Sequence, residues 1–579
     1  MTLAATTENA SSLDSDPTVQ SGSGIGAGGE ARQAGESVLS GKQPLTLEGK
    51  KDEARPWWKT RGAYISYAVA AVVLLVLFVV LLVLGLLGYL EPDHQGPHVN
   101  LGYATYVGTT LDSGINRFLG MRYAAPPVGD LRWRAPTAPP TSTRRQQAKQ
   151  FGPICLGISA AYPSSSEDED CLFVNVWAPK GLNTTSNLPV WLFIQGGGYV
   201  TNSNADWDGE EVIQRSGNSI VFVNFNYRVA MWGFLASSRV QDDGALNAGL
   251  LDQRFLMEWV KTNIASFGGD PNNVIIHGAS AGAGSVALHL TAYGGRDDGL
   301  FTAGIAESVF FPAQPFVPEL EYQFDRLVNA TDCATAAATD QMACLRALDT
   351  AALQAQNVPS PFPGRTAAPL PHFYWTPCID GDFIQDLPYN LFARGLFVDV
   401  PLLFGNDNDE GRSFAADAAT SADMANFLRN NYPLLTAADA DALVELYPLE
   451  PAAARHAAWF PSASTAYGEA TFICPAISIL GAYAVFGPAS LAGEAAPPSY
   501  LTYNAPVVPL VMGYFLSFVR TGDPNALRAP GAPVIVIETN NTRMEEVGPA
   551  QALRCRFWKG LAPRTQQKIR RGAAVDLWG

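Results

Sequence analysis

The chain has 579 residues, 47% hydrophobic and 16% charged, with 38 basic against 54 acidic residues and a net charge of −16. That balance excludes a disordered chain, a coiled coil and a multi-span transporter. An acidic chain is a poor match for phosphate backbones, so no nucleic-acid partner is expected. Seven cysteines are too few for a scaffold built on disulfides.

Residues 1–61 carry 7 Lys+Arg and 8 Asp+Glu among Gly, Ser, Ala and Thr, with no periodic apolar stripe. They read as a disordered tail. From Gly62 to Leu90 no residue is charged, and the centre is Ala, Val, Leu and Phe. About 20 apolar helical residues cross a bilayer core, so 62–90 is expected to be a transmembrane helix. Trp57 and Trp58 stand before it as interfacial anchors do. Lys50, Lys51, Arg55, Lys59 and Arg61 precede it, and Glu91 and Asp93 follow. Positive charge stays inside, so the tail is expected in the cytosol and the remainder in the lumen or outside the cell, as in a single-pass type II protein. Disulfides are permitted there. The triplets at Asn183, Asn329 and Asn540 are glycosylation candidates on that side.

Residues 99–579 alternate short apolar runs with helical patterns. Pro189–Ile194, Ile220–Asn224 and Val274–His277 read as buried parallel strands. Leu250–Ile264 reads as a helix, with Leu251, Phe255, Leu256, Trp259 and Val260 at helical spacing. Strand, helix, strand in series implies an α/β fold with a mostly parallel central sheet flanked by helices.

Gly278-Ala279-Ser280-Ala281-Gly282 follows one such strand and precedes a helix-like stretch, Gly284–Tyr293. G-x-S-x-G in that setting is a nucleophile elbow, a turn so tight that small residues must flank the serine. A glycine-rich turn that happens to hold a serine is the plainer reading. Gln195-Gly196-Gly197-Gly198-Tyr199 follows another strand. Glycines let bare backbone N–H groups converge on a point, as the oxyanion of a tetrahedral intermediate requires. Gly197 and Gly198, with Ala281 just after the serine, are the candidate donors; a flexible loop is the alternative.

Further stretches carry a resemblance. Phe267–Gly282 reads F-G-G-D-P-N-N-V-I-I-H-G-A-S-A-G, and Glu169–Val176 reads E-D-C-L-F-V-N-V. With residues 120–133, 226–235 and 517–525, they make the chain from about Tyr103 to Trp558 similar to the type-B carboxylesterases and lipases, the cholinesterase-like α/β-hydrolases. The resemblance implies an α/β-hydrolase fold, preceded here by the membrane helix. It implies a carboxylic ester hydrolase acting on small-molecule esters through Ser280 and an acyl-enzyme, without metal or organic cofactor. It pairs Cys155 with Cys171, Cys333 with Cys344 and Cys474 with Cys555, and leaves Cys378 as a buried thiol. It makes Glu410, in the turn Gly405–Gly411, the acid of the triad. Asp407 and Asp409 are then solvated loop acids or a weak cation site. Ser308 is either a serine close behind the triad or a surface residue.

The resemblance fails at one point. Beyond Glu410 the only histidine is His456, which precedes Cys474-Pro475 in an expected helix, whereas the family's base follows that pair. Only Ala476–Ala484 separate Cys474-Pro475 from Val485, where the family has a strand and a His-bearing loop. His277 and His289 stand at the wrong places in the chain order Ser, acid, His. An omitted block, a non-catalytic binding or adhesion ectodomain, and a substitute base are the three explanations. Loss of the strand would also expose unpaired backbone on its neighbours. Between Cys155 and Cys171 there is Tyr162 but no Trp, so weak selectivity for choline esters is expected.

Overall fold

The computed structural model describes residues 57–86, 96–202, 208–486, 491–493, 508–523, 534–536, 543–544 and 547–566. Most of the expected tail, His94 and Asn540 lie outside the described residues. The chain divides into two units, residues 5–94 and a large unit from Gln95 onward.

In the first unit Trp57–Leu86 forms one helix, α1, starting five residues before the expected span. Every side chain from Ile65 to Val83 is exposed, and the run is long and apolar enough to cross a bilayer.

The large unit is built on an eleven-stranded sheet, whose strands alone are numbered here. They are β1 (Thr109–Thr110), β2 (Ile115–Arg122), β3 (Phe173–Pro179), β4 (Leu188–Ile194), β5 (Val221–Phe225), β6 (Gly269–Ala279), β7 (Ala303–Glu307), β8 (Leu402–Gly405), β9 (Leu491–Gly493), β10 (Val534–Val536) and β11 (Arg543–Met544). Their spatial order is β11-β10-β9-β8-β7-β6-β4-β5-β3-β2-β1. Pairing is parallel from β5 through β10 and antiparallel at both ends, so the sheet is mixed with a parallel centre.

Both faces of the centre are covered, which is why its strands are almost continuously apolar. Along β4, Val190, Leu192 and Ile194 enter the larger core, while Trp191 and Phe193 enter a second core on the opposite face. Along β6, Val274 and Ile276 divide from Ile275 in the same way. The helix Ala248–Asn263, α2, lies within two residues of its expected bounds and buries Leu256, Trp259 and Val260. Phe515, Phe518 and Val519, from the helix Val508–Thr521, belong to the second core.

The stretches that carry the resemblance are held by charge. Glu169 makes a two-pronged pair with Arg132 (2.5 and 2.8 Å), and both are buried. Asp170 does the same with Arg122 (2.6 and 2.6 Å). Asn175 accepts from the Gly120 amide at 2.8 Å and donates to Asn224 at 2.8 Å, linking β2, β3 and β5. Arg228 is paired with the fully buried Asp252 of α2. The three disulfides are those the resemblance implies, Cys155–Cys171, Cys333–Cys344 and Cys474–Cys555, and Cys378 is a buried thiol.

Cys474–Phe486 is a helix, continuing Phe460–Gly468 through a π turn at Glu469–Ile473. No strand forms there, yet β8 does not end the sheet. Leu491–Gly493 pairs with it in parallel and β10 pairs next, so the backbone groups expected to be left bare are used.

Candidate active site

β6 ends at Ala279, and the helix Ala281–Gly295, α3, begins one residue later. Ser280 makes that turn alone, with φ 57° and ψ −122°, a conformation costly for any residue but glycine. The turn is closed by the Ser280 N–H donating to the Glu307 carbonyl (2.8 Å) and the Gly284 N–H donating to the Ser280 carbonyl (2.9 Å). A Cβ on Gly278 would strike the Gly282 carbonyl, and one on Gly282 would strike the Ile194 carbonyl. Both glycines are therefore steric requirements. Ser280 is half-buried, at the positive end of the α3 dipole.

The triple-glycine loop lies against this turn. A Cβ on Gly196 would fall 2.7 Å from the Ala279 carbonyl oxygen and 3.0 Å from the Ser280 Cβ. Gly197 and Gly198 have φ of 110° and 62°. The Gly197 carbonyl accepts from the amides of Val200 and Thr201, each at 3.0 Å, so the loop turns on its carbonyl side. Among the described residues no backbone carbonyl accepts from the amides of Gly197 or Gly198. Ala281 opens its helix, so its amide has no intrahelical acceptor. Gln195 is an anchor for the loop: its side chain donates to the Phe225 carbonyl (2.7 Å) and to Asn226 (3.2 Å), and Tyr227 donates to its carbonyl (2.9 Å).

β7 and β8 bring the acid turn to the same end of the sheet. The Ser308 N–H, just past β7, donates to the Gly405 carbonyl at 2.7 Å. Ser308 is half-buried with φ 59°, so it is a built corner between strands and no loose surface residue. In the turn after β8, Glu410 is buried and its Oε1 accepts from the Asn406 side chain (3.0 Å) and the Asp407 amide (2.8 Å). A Cβ on Gly468 would meet the Glu410 Cβ at 3.2 Å. Asp409 is exposed, taking the Ser464 hydroxyl at 2.8 Å.

Among the described residues, His277, His289 and His456 are engaged elsewhere. His277 is fully buried in β6: Nδ1 accepts from Trp191 (2.9 Å) and Nε2 meets Glu307 (2.9 Å). His289 is buried in α3 with Nε2 on Gln253 (2.9 Å), and burial, aided by Arg254, lowers its pKa to about 3. His456 lies in a turn, where a helix was expected, because the helix starts only at Phe460. Its ring stacks on Phe460 at 3.7 Å and faces Asp417 at 3.5 Å. His98 and His372 are exposed.

An aromatic wall flanks the loop. Phe373 lies over Gly198 and packs on Phe310 (4.7 Å) and Phe414 (6.0 Å); Phe472 closes the group at 5.5 Å from each of those two. Beyond Phe373 opens a pocket of about 160 Å³ lined by Pro312, Tyr322, Phe362, Tyr432 and Tyr467, and also by Glu319 and Gln566. The wall is drawn from four distant segments at no common period, and sequence reading missed it.

Residues 95–495 match the family model described as the Carboxylesterase family. The structure is similar to the crystal structure of Aspergillus niger EstA, with a TM-score of 0.78 and 45% identity over 81% of this chain and 99% of that one. Lipase 2 of Diutina rugosa is 34% identical over 375 residues, 58% of this chain and 67% of its own length. Secreted lipase 4 of Gibberella zeae is 29% identical over 537 residues, 80% of this chain and 94% of its own. The fold is thus that of the α/β-hydrolases. The chain belongs to the carboxylesterase family, whose class is carboxylic ester hydrolases.

Proposed function

We propose that this chain is a membrane-held serine ester hydrolase in which Ser280 is the nucleophile. The observation that supports the reading is the close approach of Gly196 to Ser280, with the amides of Gly197 and Gly198 next in the same loop, free of backbone acceptors among the described residues, and the leading amide of α3 next to the serine. Ser280 Oγ adds to the ester carbonyl, and the amides of Gly197, Gly198 and Ala281 take the negative oxygen, each donor being worth about 10²–10³ in rate. Collapse expels the alcohol and leaves an acyl-serine; water adds, and the carboxylic acid departs. Glu410, the buried carboxylate of its turn, is the acid that would orient an imidazole.

Each half-reaction needs a proton acceptor for the attacking hydroxyl. Among the described residues His277, His289 and His456 are committed to other partners, so in this reading solvent hydroxide takes the proton and turnover is slow. The aromatic wall offers an apolar surface to an ester's acyl or alcohol chain. α1 is the anchor, with the tail cytosolic and the hydrolase unit luminal or extracellular, where Asn183 and Asn329 are exposed for glycosylation.

A fluorophosphonate probe at about pH 9 tests the reading, since its phosphorus is attacked by the serine oxygen once hydroxide takes the proton. Labelling at Ser280, abolished by S280A, is expected. A folded protein that stays unlabelled overturns the reading in favour of a binding ectodomain.

A further inference from the structure

Beneath the elbow, on the face of the sheet away from the larger core, a polar pair lies in apolar surroundings. His277 on β6 has no exposed surface, and its ring is boxed by Phe193 (5.0 Å), Trp191 (5.5 Å) and Phe515 (5.5 Å). Its tautomer follows from its partners. An indole N–H can only donate, so Nδ1, 2.9 Å from Trp191 Nε1, carries the lone pair. Nε2 then carries the proton and donates to the Glu307 carboxylate at 2.9 Å. One ring thus ties together β4, β6 and β7.

Glu307 is held at both ends. Its side chain takes the His277 proton, and its backbone carbonyl takes the Ser280 N–H. His277 precedes Ser280 by three residues, so the pair closes a loop around the strained turn. The next residue, Ser308, donates its amide to Gly405, where the turn carrying Glu410 begins. A shift of the Glu307 backbone therefore moves the nucleophile and the acid turn together.

We propose that His277 and Glu307 are positioning residues that hold the Ser280 elbow and, through Ser308, set the turn bearing Glu410 against it. This rests on the reading of Ser280 as a nucleophile. Buried polar groups of this kind are costly unless fully paired, and a fully paired set fixes one geometry. The reaction is sensitive to that geometry, since a displacement of about 1 Å can cost about 10²-fold in rate.

The test uses the full-length protein in detergent and follows the second-order rate of Ser280 phosphonylation per folded molecule. E307L removes the acceptor and is expected to slow labelling about 100-fold. E307Q, whose amide oxygen accepts the same N–H, is expected to label at close to the wild-type rate. Should E307L not fold, H277N keeps an acceptor near Trp191 but does not reach Glu307, and is expected to be slow as well. Hydrogen exchange in the peptide containing Ser280 reads the same bond without chemistry: E307L or H277N should raise it and E307Q should not. Wild-type labelling speed in folded E307L or H277N, or unchanged exchange in either, overturns the proposal. A wild-type protein that never labels counts against the nucleophile reading alone, and exchange still decides the role of the pair.

Discussion

Gly196 and Ser280 are in contact: a Cβ on the glycine would sit 3.0 Å from the serine Cβ. The two residues are 84 positions apart, yet the parallel pairing of β4 with β6 delivers their turns to one end of the sheet. The loop can lie this close to Ser280 only because nothing but hydrogen occupies the Cβ position of Gly196.

G196A therefore tests the geometry directly. The new methyl would press on the Ala279 carbonyl oxygen at 2.7 Å and displace the loop from the serine. The expected loss in kcat/KM for 4-nitrophenyl acetate is about 10²–10³-fold, the scale of one oxyanion donor. KM should change little, which steady-state kinetics will show.

The engaged histidines set the expected pH profile. Under the proposed reading, in which hydroxide takes the Ser280 proton, the hydrolysis rate should rise with hydroxide concentration through pH 9, without a plateau near neutrality. Added imidazole should accelerate turnover and leave S280A unaffected. A plateau with a midpoint near pH 6–7 would reveal a base supplied from elsewhere in the chain.

His289 makes a separate prediction about stability. Its pKa is about 3 in the folded protein against an ordinary value of 6.5, because burial, aided by Arg254, opposes the charged ring. Between these values the unfolded chain holds more protons than the folded one, so stability rises with pH there and is lost as pH falls from 6.5 toward 3. H289L should flatten that part of the curve, as measured by urea unfolding at pH 4 and pH 7.

Glu169 and Arg132 are both buried. E169A would leave the guanidinium without its carboxylate, although Arg132 keeps bonds to the carbonyls of Arg346 and Leu348. The expected cost is about 3–5 kcal/mol. Denaturant titration of E169A beside the wild type measures it.

Membrane residence is read by fractionation. The full chain should resist alkaline carbonate extraction, and residues 96–579 behind a secretory signal should be released to the medium. In the full chain N183Q and N329Q should each remove one glycosidase-sensitive mobility step, as expected of a hydrolase unit on the non-cytosolic side.

Much of this protein was legible in its residues. Strand positions, the α2 helix, the elbow, the glycine loop and the apolar span depend on local periodicity and on glycine where no Cβ fits, and these are properties of short segments. The structure moved their ends by a few residues; β6 begins at Gly269, whose single pair with Leu188 is followed by a break in register before regular pairing starts at Val274. The cysteine pairs were legible through the resemblance and not from spacing. Other features required the folded chain, because they join segments that share no local signal. The partners of His277 lie 86 residues before it and 30 after it. The aromatic wall collects Phe310, Phe373, Phe414 and Phe472, and the strand beside β8 comes from Leu491–Gly493, beyond the helix at Cys474–Phe486. Sequence periodicity reports which face of an element is apolar; only the closed sheet decides which polar groups on different strands meet.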